Sequence, residues 1–194
     1  MELIVLATKN EGKVRELAGL LAGIAARFES LRAHPGVELP PETGSSYREN
    51  ALLKARAVFA AVRQPTLGDD SGLEVDALAG APGLLSARYA GKGATDRANN
   101  QKLLEALAHV PADSRTARFR CALALVRAPG DEIVVEGVCE GNVLDLPRGA
   151  GGFGYDPFFL PEDEIRTFAE LPVDVKNAMS HRGKAAAALR AALL

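Results

Sequence analysis

A mixed α/β fold follows from three features of the sequence. An apolar run at residues 2–7 gives way, after a few polar residues, to apolar positions recurring at helical spacing. Further on, residues 117–125 alternate strictly between apolar and polar, turn at Pro129-Gly130 and return, which is a β-hairpin pattern. Helical segments lie on both sides of that hairpin, so the chain is not a plain run of βαβ units.

The run Glu2 to Ala7 predicts a buried strand, and Val14, Leu17, Leu21 and Ile24 predict a helix from Glu11 to Ile24. Residues 35–46 are rich in Pro, Gly and Ser and predict a loop. Ala51, Leu52, Ala55, Val58, Phe59 and Val62 mark a second amphipathic helix, which Pro65 stops. A short strand in the stretch Thr66 to Asp76 leads into Asp69-Asp70, and residues 79–94 predict irregular, Gly-rich chain. Thr95 caps a third helix carrying Leu103, Leu104 and Leu107. Ala117 to Leu125 and Ile133 to Cys139 form the hairpin, which brings Cys121 and Cys139 near each other if the register holds. A Gly-rich loop at 149–154, aromatic residues to Phe159, an irregular link and a terminal helix from about Ser180 complete the chain, as one domain over 1–194.

Composition narrows the function classes. With 194 residues, 47% hydrophobic and 25% charged, the chain falls among ordinary globular proteins and needs neither a disulfide framework nor a structural metal to hold a core. Balanced charge, 23 Lys plus Arg against 25 Asp plus Glu, argues against bulk attraction to nucleic acid or a membrane, so any phosphate binding must be local. The start lacks the basic region of a signal peptide, no run approaches a membrane span, and two cysteines without metal-ligand spacing point to reduced, non-catalytic thiols in a cytoplasmic protein.

Four segments offer chemistry. Thr8-Lys9-Asn10-Glu11-Gly12-Lys13 joins the first strand to the first helix, where amide hydrogens and the positive helix end favour a phosphate. It is not a Walker A loop, because Ala7 and Val14 occupy positions that would need Gly and Ser or Thr. A capped surface helix with a solvated lysine is the plainer alternative. Asp69-Asp70-Ser71-Gly72 can supply oxygen ligands to a hard cation or close an Asx turn, and in an unbroken strand only one aspartate faces a given ligand. Glu42 and Glu49 flank the second helix as further carboxylates or dipole partners. Gly149 to Gly154 matches the spacing of a dinucleotide-binding turn, but Tyr155-Asp156-Pro157 cannot open the helix such a turn requires; the segment instead suits backbone approach to a flat base, or a Gly-rich turn over core aromatics. Ser180-His181-Arg182 starts a helix at an anion-friendly end, or is solvated surface. His34 and His109 have no partner pattern, and no motif for covalent catalysis is present.

Taken in order, ATKNEGKVREL at 7–17, DDSGLEVDAL at 69–78, GGFGYDPFF at 151–159 and SHRGKA at 180–185 resemble the Ham1/RdgB-type inosine triphosphatase family over nearly the whole chain. Linking stretches at Glu49-Asn50-Ala51, Lys54-Ala55, Ala81-Pro82-Gly83 and Thr95-Asp96 agree with it. The resemblance implies an elongated mixed sheet with flanking helices and two lobes around a central nucleotide-binding cleft. It implies hydrolysis of non-canonical purine nucleoside triphosphates (ITP, dITP, XTP) to the monophosphate and pyrophosphate, with Mg²⁺, by a cytoplasmic homodimer. By the same resemblance Thr8, Lys9, Asn10, Glu11, Gly12 and Lys13 hold the triphosphate. Asp70 is metal ligand and proton acceptor, and Glu42 is the second metal carboxylate. Ser71, Phe153, Gly154, Tyr155, Asp156, Lys176, His181 and Arg182 contact the nucleotide. The chain departs from the family at Pro41, where a second glutamate often stands beside the equivalent of Glu42. A non-catalytic nucleotide-binding module and a Maf-type pyrophosphatase with another base preference are the alternatives.

Overall fold

A computed structural model describes residues 1–194. The elements in chain order are β1 Leu3–Leu6, α1 Glu11–Leu20, β2 Arg27–Ser30, α2 Tyr47–Val62, β3 Thr66–Val75, α3 Asp96–Ala106, β4 Thr116–Ala128, β5 Asp131–Val143, β6 Phe159–Pro161, α4 Val173–Met179 and α5 His181–Ala192. The six strands form one sheet in the order β2-β1-β3-β4-β5-β6. β1 runs parallel to β2 and β3, whereas β5 and β6 are antiparallel, so the sheet is mixed. No helix is long and apolar enough to cross a membrane.

The chain forms two compact units. The first contains Met1–Asp70, Cys121–Gly137 and His181–Leu194; the second contains Ser71–Arg120 and Val138–Ser180. In the first, Ile4, Leu6, Leu17, Leu67, Cys121, Leu123, Leu125 and Leu189 pack as one cluster, and Val5, Ala7, Leu31 and Val58 pack as another. β1 contributes to both because alternate residues of a strand point to opposite faces. Gly68 is required where β3 lies on α2: a Cβ there would stand 2.1 Å from the Ala51 carbonyl oxygen.

In the second unit Leu73, Val75, Leu103, Leu107, Phe119, Phe159 and Phe168 build the core. Its centre is an aromatic trio, with Phe119 edge-on to Phe159 at 4.7 Å between centroids and Phe159 tilted on Phe168 at 5.0 Å.

Several expectations are corrected. β3 is not a short strand that ends near the aspartates: it is ten residues long and runs on past them to Val75, where Leu73 and Val75 are fully buried. The first helix stops at Leu20 rather than Ile24, and the irregular link contains the short helix α4. β2, a four-residue strand, carries no apolar alternation that would have announced it. Cys121 and Cys139 are both buried and form no disulfide, and they pack in separate clusters rather than together.

Candidate active site

Thr8 leaves β1 almost fully buried, and its Oγ1 accepts the Asn10 amide at 3.1 Å. Asn10 is the N-cap of α1, and its side-chain oxygen accepts the Lys13 amide at 3.1 Å. These two bonds fix the loop that turns the strand into the helix. Lys9 and Glu11 are exposed, and Glu11 pairs with Arg32. Gly12 and Lys13 are half-buried, and the Lys13 ammonium bonds Asp69.

Asp69 and Asp70 sit side by side in β3 with separate sets of partners. Asp69 takes Lys13, the Arg182 Nε at 2.8 Å and the Cys121 thiol at 3.5 Å. Arg182 also donates through Nη1 to Glu16 at 2.6 Å, giving an alternating row Lys13, Asp69, Arg182, Glu16 in which each charge has an opposite neighbour. Burial alone would raise the Asp69 carboxyl, but Arg182 and Lys13 overcome it and hold it well below the ordinary carboxylate range.

Asp70 meets residues of α2. Its Oδ1 accepts the Lys54 ammonium at 2.7 Å, and its Oδ2 accepts the Asn50 amide at 3.2 Å. Asn50 and Lys54 are one helical turn apart and so share a face. Lys54 also donates to Glu42 at 2.6 Å and to the Asp69 carbonyl at 3.1 Å. Burial pushes the Asp70 carboxyl above its ordinary value although Lys54 draws it the other way. Burial would lower the Lys54 ammonium, but Asp70 and Glu42 together raise it.

Asp70 and Glu42 thus converge on one cation. No group of three or more His, Cys, Asp or Glu side chains is gathered to hold a metal. Two carboxylates nevertheless fit a magnesium ion, which is usually held by one or two carboxylates together with substrate phosphates. Glu49 has a different use: the N-cap Ser46 accepts its amide at 3.2 Å, and its own carboxylate accepts the Ser45 amide at 2.7 Å, which ties the start of α2.

In the second unit the loop before β6 folds around Asp156. This carboxylate is 3% exposed, and its Oδ2 accepts the Phe153 amide at 2.9 Å and the Lys176 ammonium at 2.7 Å. Lys176 in turn lies 5.5 Å from the centre of the Phe153 ring and 5.4 Å from that of Phe168. Gly152 is required here, since at φ +72° its Cβ would meet Asp156 Oδ2 at 2.0 Å. Tyr155 donates its hydroxyl to the Ser86 carbonyl at 2.8 Å, which makes it a support of the loop. Ser71 follows Asp70 in β3 and is half-buried.

Residues 4–192 match the Ham1 family. The chain belongs to that family. Curated relatives include the dITP/XTP pyrophosphatase of Geobacter sulfurreducens, 48% identical over 98% of this chain and 96% of that one, and that of Geobacillus kaustophilus, 50% identical over 95% and 91%. A solved HAM1 protein from Coxiella burnetii superposes with a TM-score of 0.87 at 43% identity, covering 100% of this chain and 98% of that one.

The residues that carried the Ham1 resemblance divide between the two units. Thr8 to Lys13, Asp70, Glu42, His181 and Arg182 belong to the first, and Ser71, Phe153 to Asp156 and Lys176 belong to the second. His181 and Arg182 open α5, at 4% and 2% exposure, and are not the solvated surface pair that is common at helix starts. Sequence reasoning missed the roles of Lys54, Asn50 and Glu16. A signal for two of them exists: Asn50 and Lys54 interrupt the buried stripe Tyr47, Ala51, Ala55 and Val58 of α2, and a polar residue on an apolar face needs a partner.

Proposed function

We propose that this chain hydrolyses non-canonical purine nucleoside triphosphates, dITP, XTP and ITP, to the nucleoside monophosphate and pyrophosphate. The supporting observation is Asp70, a buried carboxylate gripped by Lys54 and Asn50, one residue from an aspartate committed to Lys13 and Arg182. A buried carboxylate whose pKa burial raises, with partners separate from those of its neighbour, suits a proton acceptor more than a pure binding group. The names of the Geobacter and Geobacillus relatives support the substrate class.

In this reading Thr8, Lys9, Asn10, Glu11, Gly12 and Lys13 receive the triphosphate, using the amino end of α1 and the Lys13 charge. Asp70 orients the attacking water and accepts its proton, and burial makes it a stronger base than an exposed aspartate. Lys54 holds Asp70 in place and offsets its charge beside Glu42. Asp70 and Glu42 are the residues that would hold a magnesium ion, which would supply charge neutralisation at the phosphoryl oxygens. Ser71, Phe153, Gly154, Tyr155, Asp156, Lys176, His181 and Arg182 contact the nucleotide. Donors facing O6 of the base would favour hypoxanthine and xanthine over adenine, whose amino group leaves them unpaired. The resemblance also supports a homodimer and a cytoplasmic location, with which two cysteines outside any disulfide agree.

The test is product analysis with dITP, XTP, ITP, GTP, ATP and dTTP in the presence of magnesium. Pyrophosphate and monophosphate from the first three, with ¹⁸O from labelled water in the monophosphate, support the reading. Orthophosphate as the direct product overturns it.

A further inference from the structure

Three successive peptide groups in the loop before β6 are fixed by side chains. The Phe153 amide is held by Asp156 within the loop. The other two are held from α3: the Gly154 amide donates to Asp96 Oδ2 at 2.7 Å, and the Gly154 carbonyl accepts the Asn100 Nδ2 at 2.9 Å. Asp96 and Asn100 are one helical turn apart, so both reach the loop from the same face of α3. Asp96 is the first residue of α3, with Thr95 as the cap, and a carboxylate there is favoured by the helix dipole whatever it touches. Its aim at an amide 58 positions away is a separate matter. A cavity of about 450 Å³ lies beside these bonds, lined by Asp96, Asn100, Leu104 and the Gly-rich loop, so no packed side chain replaces them there.

We infer that Asp96 and Asn100 are positioning residues for nucleotide recognition, a bracket on Gly154 that sets the direction of the Phe153 ring and the Asp156 carboxylate. This rests on the reading of Phe153 to Asp156 as nucleotide contacts. The bracket touches neither Thr8 to Lys13 nor Asp70, so its loss falls on recognition of the nucleoside and leaves triphosphate binding and the chemical step unchanged. Within the loop the same turn is also restrained by the Asp156 bond to the Phe153 amide, by the Asp156 amide on the Phe153 carbonyl at 3.3 Å and by Tyr155 on Ser86.

The test compares the parent with Asp96→Ala, Asn100→Ala and Asp96→Asn. In Asp96→Ala the KM for dITP is expected to rise about tenfold, as for loss of one charge-assisted hydrogen bond, with kcat close to the parent value. The inhibition constant of inorganic tripolyphosphate, which has no nucleoside, stays unchanged. Asn100→Ala is expected to act in the same direction. Asp96→Asn retains an acceptor for the Gly154 amide and returns most of the loss. Amide hydrogen exchange at Gly154, measured without ligand, is faster in Asp96→Ala than in the parent. Equal weakening of tripolyphosphate and dITP overturns the inference, as does an unchanged KM. Failure of Asp96→Asn to recover affinity also overturns it. A parent that does not hydrolyse dITP defeats the proposed function instead, and the exchange rate at Gly154 still reports whether the bracket exists.

Discussion

Arg182 donates its Nε to Asp69 Oδ2 at 2.8 Å, and both side chains are at least 97% buried although 113 positions separate them in the chain. A buried ion pair broken on one side leaves an uncompensated charge, which is far more harmful than loss of a surface pair. Asp69→Asn is therefore expected to lose about 3–5 kcal/mol of stability at pH 7, read by denaturant titration. The folded Asp69 pKa lies below its ordinary 3.8, so this contribution is present above pH 3.8 and fades as the pH falls below it. The gap between parent and Asp69→Asn should narrow in that acid range. A gap that stays constant there would mean that the ionised carboxylate is not its source.

Asp70 has the opposite sign. Its folded pKa is raised above 3.8, so its favourable contribution is complete below that pH and is lost as the pH rises through the folded value. Asp70→Asn removes one partner of the buried Lys54 ammonium but leaves Glu42 beside it, and turnover should fall by about 10²–10⁴-fold, the usual loss for a general base. Turnover near the parent value, with Asp69→Asn inactive yet folded, would exchange the roles of the two aspartates.

The Lys54 ammonium bridges Asp70 and Glu42, and its charge draws the Asp70 pKa down. Lys54→Met removes that pull. The acid limb of the kcat–pH profile is expected to move to higher pH, and a limb that stays in place would separate it from Asp70.

Gly68→Ala places a methyl group against the Ala51 carbonyl, at an unrelaxed distance of 2.1 Å, where neither backbone can swing away. The strain should cost about 3 kcal/mol, at the upper end of overpacking effects, and lower Tm accordingly. An unchanged Tm would show that β3 and α2 separate without penalty.

Long periodic segments were legible in the sequence and short ones were not. α2 announced itself by its apolar stripe and its stop at Pro65, and the β4–β5 turn at Pro129-Gly130 by strict alternation on the β4 side. β2 reads Arg-Phe-Glu-Ser, because an edge strand of four residues buries little and needs no pattern. α4 has only seven residues, too few for a helical period to show. In the site, the identity of the aspartate pair was legible but its ranking was not, since side-chain direction depends on whether the strand continues, and that is decided by Leu73 and Val75 further along. Lys54 was hidden for a different reason: a lysine on a helix is ordinarily solvated, and only the fold shows it at 6% exposure beneath two carboxylates.

The segment His181–Leu194 belongs to the first unit although the whole of the second intervenes before it. On the ribosome, therefore, Lys13 and Asp69 emerge early and wait for Arg182, whose arrival supplies the guanidinium that their site is built around. A chain released before residue 181 would have neither α5 nor the Arg182 counter-charge of Asp69, and the cluster that holds Ile4, Leu17 and Leu123 would lack Ala185, Ala186 and Leu189. Prematurely terminated copies would for that reason be targets for quality-control proteases instead of partly active enzymes.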